Sequence, residues 1–171
     1  MDAPYTPFYC EENVYQLLLT LSRQTSSSSS RLYAAFITNP ARHALLFQQK
    51  ASRQGEDQAH YVLWDYHVIA LLALGGEEEG EKRVVVLDRD TRLADMVDLE
   101  EYVLETFRPD LFSASVLDPS LRSRIRLVPA ADFLANFASD RSHMVCARRS
   151  PFAHLTPSKS RLYDVEAKCS Q

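Results

Sequence analysis

Two apolar runs constrain this chain more than anything else in it. Residues 60–74, HYVLWDYHVIALLAL, and residues 82–88, KRVVVLD, are joined by the polar stretch GGEEEGE. β-Branched and aromatic side chains suit a pleated, half-buried surface, so both runs read as strands. The connection reads as that of a hairpin, its acidic run being solvated loop. Any fold of this chain must be built on that antiparallel pair.

The remaining elements are read around the hairpin. In CEENVYQLLLTLSR, Val14, Leu17, Leu18 and Leu21 fall on one helical stripe, which predicts a helix starting at or near Cys10. QTSSSSS ends it as a surface loop. RLYAAFIT is a strand stopped by Asn39-Pro40. Residues 41–51 are expected to form a short helix with Ala44, Phe47 and Gln48 on one side, and RQGEDQ a loop. Leu99, Tyr102, Val103 and Phe107 have helical spacing, closed by Pro109. RIRLVP reads as a strand and AADFLANFA as a short helix. A helix before a mostly antiparallel sheet, with further helices packed on it, is an α+β arrangement.

Composition removes several function classes. A net charge of −4 argues against nucleic acid as partner, since phosphate binding wants a basic surface. No apolar run approaches the roughly 20 residues of a membrane helix. The opening MDAPYTPFYCEEN has no signal-peptide pattern, which places the chain in the cytoplasm or nucleus as an expectation. Cys10, Cys146 and Cys169 are an odd count without a C-x-x-C pair, so free thiols are expected. His143 and Cys146 have zinc-like spacing, but a second such pair is missing, and no metal or cofactor is expected.

Three positions could carry chemistry. A thiol at the start of a helix, Cys10, faces unpaired backbone N–H groups and the positive end of the helix dipole, which favour the reactive thiolate. Those N–H groups could also hold an oxyanion. Glu11 and Glu12 work against the thiolate, and a lone cysteine is more often a small buried apolar residue. His67 lies on a strand, where alternation puts Asp65, His67 and Ile69 on one face and Trp64, Tyr66 and Val68 on the other. Histidines on core strands are mostly structural, yet a strand is the rigid platform a general base needs. If the hairpin pairs as expected, Asp88 reaches the imidazole; Asp65 and Asp90 are alternatives for the orienting carboxylate. Cys, His and Asp in that order, on a helix start and adjacent strands, match the layout of papain-like and transglutaminase-like thiol enzymes.

Five stretches carry a resemblance. YCEENVY (9–15), YAAFITN (33–39), WDYHV (64–68), LDRDT (87–91) and NFASDRSHM (136–144) are similar to the protein N-terminal glutamine amidohydrolases, the WDYHV-motif proteins, in the family's order. The resemblance implies a Cys10–His67–Asp88 triad, Asp88 being the first acid of the D-x-D-T motif. It implies an α-β-α sandwich related to the papain and transglutaminase superfamily, acting as a monomer without cofactor. It also implies deamidation of an N-terminal Gln of a protein to Glu with release of ammonia, ahead of arginylation and the N-degron route. Asp65 or Asp140 is the candidate to hold the substrate α-ammonium.

Residues 1–144 are read as one catalytic domain and 145–171 as a divergent, poorly ordered tail. The family's C-terminal Trp-Gly segment, final strand and final helix have no counterpart in CARRSPFAHLTPSKSRLYDVEAKCSQ. Losing that strand would expose a sheet edge. Three other readings stay open on these residues: an inactive truncated variant, a module that binds N-terminal Gln without turnover, and a thiol protease or transglutaminase acting at internal sites.

Overall fold

A computed structural model describes residues 3–24, 30–53, 60–75 and 83–137. Asp140, His143, Cys146, Cys169 and the whole 145–171 tail lie outside the described residues. The chain divides into two compact units, Met1–Asn136 and Phe137–Gln171, and the described helices and strands belong to the first.

Helix α1 (Cys10–Gln24) is followed by strand β1 (Ser30–Thr38), the short β2 (Ala44–Leu46) and β3 (Val62–Trp64), then β4 (His67–Leu74) and β5 (Arg83–Leu87). Strand β6 (Val97–Asp98), helices α2 (Leu99–Tyr102) and α3 (Pro109–Ser113), strand β7 (Arg124–Pro129) and helix α4 (Ala130–Asn136) complete it. Five strands form one sheet in the order β6-β5-β4-β1-β7, every pairing antiparallel. β2 and β3 form a separate two-stranded sheet. The protein is thus α+β with a mostly antiparallel sheet, and no helix among the described residues is long and apolar enough to cross a membrane.

The sheet is covered on both faces. On one, α1 packs against β4 and β1, and α4 against β1, β7 and α1. The predicted stripe of α1 is the buried one, with Val14, Leu17, Leu18 and Leu21 all inside. Glu11 and Glu12 in its first turn and Arg23 in its last suit the helix dipole. On the other face Ala35, Ile37, Ile69, Leu71 and Val86 meet Leu46, Trp64, Val97 and Tyr102 in one core cluster. That second layer is built from the β2–β3 sheet and α2, so it is only partly helical.

Two expectations need correction. Residues 41–51 are not a helix: Ala44–Leu46 is a strand paired with Val62–Trp64, and Arg42 and Gln48 have positive φ (59° and 55°), which ends helical winding on either side. The apolar spacing there is too short to separate the two periods. The run 60–74 is not one strand, because it breaks at Asp65–Tyr66 and sends β3 to one sheet and β4 to the other. Its alternation therefore does not carry across the break. Pro109 does end the preceding segment, but it also opens α3 from its first turn, after Arg108 turns into the left-handed region at φ 48°.

Candidate active site

The hairpin register sets the geometry of the site. β4 pairs with β5 so that Ala70 lies opposite Leu87, which leaves Asp88 just past the end of the ladder, beside the start of β4. His67 is the first residue of β4, and its other neighbour is Ile37 of β1. His67 and Asp88 are both buried, 1% and 3% exposed, and His67 Nε2 lies 3.0 Å from Asp88 Oδ1.

Asp88 is fully engaged. Its Oδ1 also accepts the Asp90 N–H at 2.9 Å, and its Oδ2 accepts the Tyr102 hydroxyl at 2.8 Å. Burial alone would push this carboxyl up. The positive charge and hydrogen bond of His67, with the bonds from Asp90 N–H and Tyr102, outweigh it and hold Asp88 below the usual carboxylate range. The partner shifts oppositely. Burial opposes a charge on His67, but the Asp88 charge and hydrogen bond, aided by Cys10, raise it well above 6.5. The pair is therefore set up as imidazolium and carboxylate.

Cys10 approaches the ring from the start of α1 and is partly exposed, with a free thiol. Its interaction with the imidazole favours the protonated ring, yet Nδ1 has no partner at full hydrogen-bond geometry among the described residues. The sulfur–imidazole contact is loose, as such contacts commonly are before substrate binds. With Nε2 committed to Asp88, Nδ1 is the nitrogen left to serve the thiol. The approach to Cys10 is fixed by Asn13, whose side-chain oxygen accepts the Thr6 N–H and whose amide donates to Thr6 O, both at 2.8 Å.

Trp64 stacks on His67 with ring centroids 5.6 Å apart and planes at 17°. A continuous strand would have put the two on opposite faces; the break at Asp65–Tyr66 lets the indole turn over the imidazole. Its N–H donates to Gln49 Oε1 at 3.2 Å, and Gln49, fully buried, donates in turn to Phe47 O at 3.3 Å.

A model of the N-terminal glutamine amidase family matches residues 5–168 of this chain. The chain belongs to that family. Proteins called "Protein N-terminal glutamine amidohydrolase" from Drosophila ananassae, Drosophila virilis and Drosophila melanogaster are each 39% identical to it over 143 residues. Those alignments cover 84% of this chain and 64% of each relative, so the chain spans just under two-thirds of their length.

Within this amidase-family chain, the structure brings Cys10, His67 and Asp88 together. Asp65 is not on a shared strand face with His67. It sits at the strand break, half-buried, where its Oδ1 accepts the Tyr66 N–H at 3.1 Å and its carbonyl accepts the Thr38 hydroxyl at 3.0 Å. Asp90, the third carboxylate weighed from the sequence, is buried close by. One donor-type atom from each of His67, Asp88 and Asp90 lies within 4.8 Å of the others. The three side chains are tied into one hydrogen-bonded network by the His67–Asp88 bond and the 2.6 Å bond from Tyr5 to Asp90. Tyr102, Gln49, Trp64 and Tyr5 were missed as site residues. The helical stripe marked Tyr102 as buried, but nothing local in the sequence says where its hydroxyl points.

Proposed function

We propose that this chain removes the side-chain amide of an N-terminal glutamine, leaving glutamate and ammonia. The observation that carries the reading is the buried His67–Asp88 pair at 3.0 Å with Cys10 at the free side of the ring, in a member of the N-terminal glutamine amidase family. The fold is read as a papain- or transglutaminase-like α-β-α sandwich.

In this mechanism the Cys10 thiolate attacks Cδ of the glutamine amide, and backbone N–H groups at the start of α1 hold the oxyanion. The imidazolium of His67 gives its Nδ1 proton to the departing nitrogen, which leaves as ammonia, and a thioester to Cys10 remains. Neutral His67 then takes a proton from water, whose oxygen attacks the thioester carbon. Collapse expels the Cys10 thiolate beside the restored His67 imidazolium and releases glutamate. Asp88 keeps the ring orientation and offsets its positive charge throughout.

Proteins and peptides that begin with Gln are the substrates under this reading, and the new N-terminal Glu is what arginylation for the N-degron route would use. Selectivity for a terminal residue needs a group that receives the free α-ammonium. Asp65, half-buried beside the site, and Asp140 are the candidates. The chain is proposed to act as a monomer in the cytoplasm or nucleus, with no cofactor.

The test is ammonia release from a peptide beginning with Gln, with a peptide beginning with Asn as control. Release from the first only supports the reading. Binding of the Gln peptide without release would make the chain a capture module, and cleavage at internal sites would make it a thiol protease.

A further inference from the structure

Asp90 is the buried ionisable group that the triad leaves unused. It is 4% exposed, its Oδ1 accepts the Tyr5 hydroxyl at 2.6 Å, and its carbonyl accepts the Lys50 N–H at 2.8 Å. Its own N–H donates to Asp88 Oδ1 at 2.9 Å. A side-chain oxygen of Asp90 lies within 4.8 Å of a ring nitrogen of His67 and of an Asp88 oxygen. Two carboxylates buried this close cost free energy twice, through desolvation and through repulsion. A turn after a strand needs no second acid with its side chain inside, so something must offset that cost. The His67 ring, charged when protonated, lies within 4.8 Å of both.

We propose that Asp90, held by Tyr5, is a positioning residue: its N–H aims Asp88, and its charge stabilises the His67 imidazolium opposite the Cys10 thiolate. Tyr5 matters because it reaches Asp90 from the segment that leads into Cys10, so one bond ties the nucleophile's approach to the charge network. Burial, with the repulsion of Asp88, holds the Asp90 carboxyl above its usual range, and the Tyr5 hydrogen bond and the His67 charge pull it only part of the way back toward the ionised form. The groups facing the imidazole are Asp88 from the end of β5, Asp90 from the turn after it and Cys10 from α1. Tyr102 from α2 acts through Asp88, and Lys50 adds a weaker positive field at Asp90. Arg89 lies against the Tyr5 ring at 5.6 Å and donates to Ala3 O, which leaves Asp90 to Tyr5.

The inference rests on Cys10 acting as a thiolate paired with His67, and it is read without substrate. Cys10 is alkylated with iodoacetamide across a pH series, and modification is located on the Cys10 peptide by mass spectrometry. A chain that fails to deamidate glutamine therefore still gives an answer. In Asp90→Asn the N–H to Asp88 survives and only the charge is lost. The upper inflection of the profile, where the imidazolium deprotonates, is expected to fall by about one pH unit, tenfold in ring acidity. In Tyr5→Phe the Asp90 charge survives at neutral pH, so the upper inflection stays where it is in the parent. A merely structural role would slow alkylation equally at every pH. An unshifted upper inflection in folded Asp90→Asn overturns the proposal. If that variant does not fold, an unshifted upper inflection in folded Asp90→Ser, which also keeps the N–H and loses the charge, overturns it.

Discussion

Tyr102 donates its hydroxyl to Asp88 at 2.8 Å, on the carboxylate oxygen that His67 does not use. Tyr102 is fully buried, so this bond is the means by which α2, through its last residue, reaches the end of β5. Burial, with the charge and bond of Asp88, holds the phenol protonated well above its usual range, which keeps it a donor at every working pH. Tyr102→Phe should leave a buried carboxylate oxygen without its donor and cost about 1–3 kcal/mol of stability. Urea denaturation of the variant checks this, and its activity should fall together with the loss of Asp88 anchoring.

The His67–Asp88 pair predicts a pH window. Asp88 lies below its ordinary value in the folded protein, so its contribution is present above that value and is lost as pH falls through the folded one. His67 lies above 6.5, so its contribution is complete below 6.5 and is lost as pH rises through the folded value. Denaturation midpoints followed against pH should therefore be highest between the two ordinary values, 3.8 and 6.5, and fall on both sides toward the folded ones. Asp88→Asn leaves a buried imidazole without its counter-charge, which should cost about 3–5 kcal/mol inside that window. Outside it, the variant's midpoint should vary less with pH than that of the parent.

Gln49 and Trp64 predict an effect on rate without a charge. Gln49→Leu leaves the buried indole N–H unpaired and frees the ring that stacks on His67. The stability cost should be about 1–3 kcal/mol. Turnover should fall more than substrate binding, since the indole orients the imidazole; separate kcat and KM values for a Gln-starting peptide check this. Gln49→Glu, which keeps an acceptor at the same place, should recover part of the rate.

Surface charge predicts the opposite result. Arg83 grips Asp98 through two bonds, 2.6 and 2.9 Å, but both side chains are exposed. Such pairs are screened by water and salt. Arg83→Ala should leave the denaturation midpoint close to that of the parent, measured in the same urea series.

Much of this site was legible from residue order. α1 was readable because its apolar stripe is long enough to fix the period, and the β4–β5 pairing because two apolar runs flank one polar connection. That pairing is what made Asp88 a candidate partner of His67. Residues 44–46 were not readable, because a three-residue strand has meaning only through its partner at 62–64. The break at Asp65–Tyr66 was hidden for a related reason. Composition shows that a run prefers extended backbone, but not that its two ends join different sheets. Trp64 therefore moved from the far face to a stack on His67, and Asp65 from a strand neighbour to a turn residue. The contacts of Tyr102, Gln49 and Tyr5 each span from 14 to 85 positions of sequence, beyond the reach of any local pattern.

Cys10, served by His67 and Asp88, is proposed to deamidate an N-terminal glutamine. The direct measurement is mass spectrometry of a Gln-starting peptide incubated with the chain and with its Cys10→Ala variant. The expected result is the mass gain of an amide-to-acid exchange at the first residue, matched by ammonia, and no change with Cys10→Ala. A folded chain that leaves the peptide at its original mass, or a Cys10→Ala variant that converts it as fast as the parent, would contradict the account.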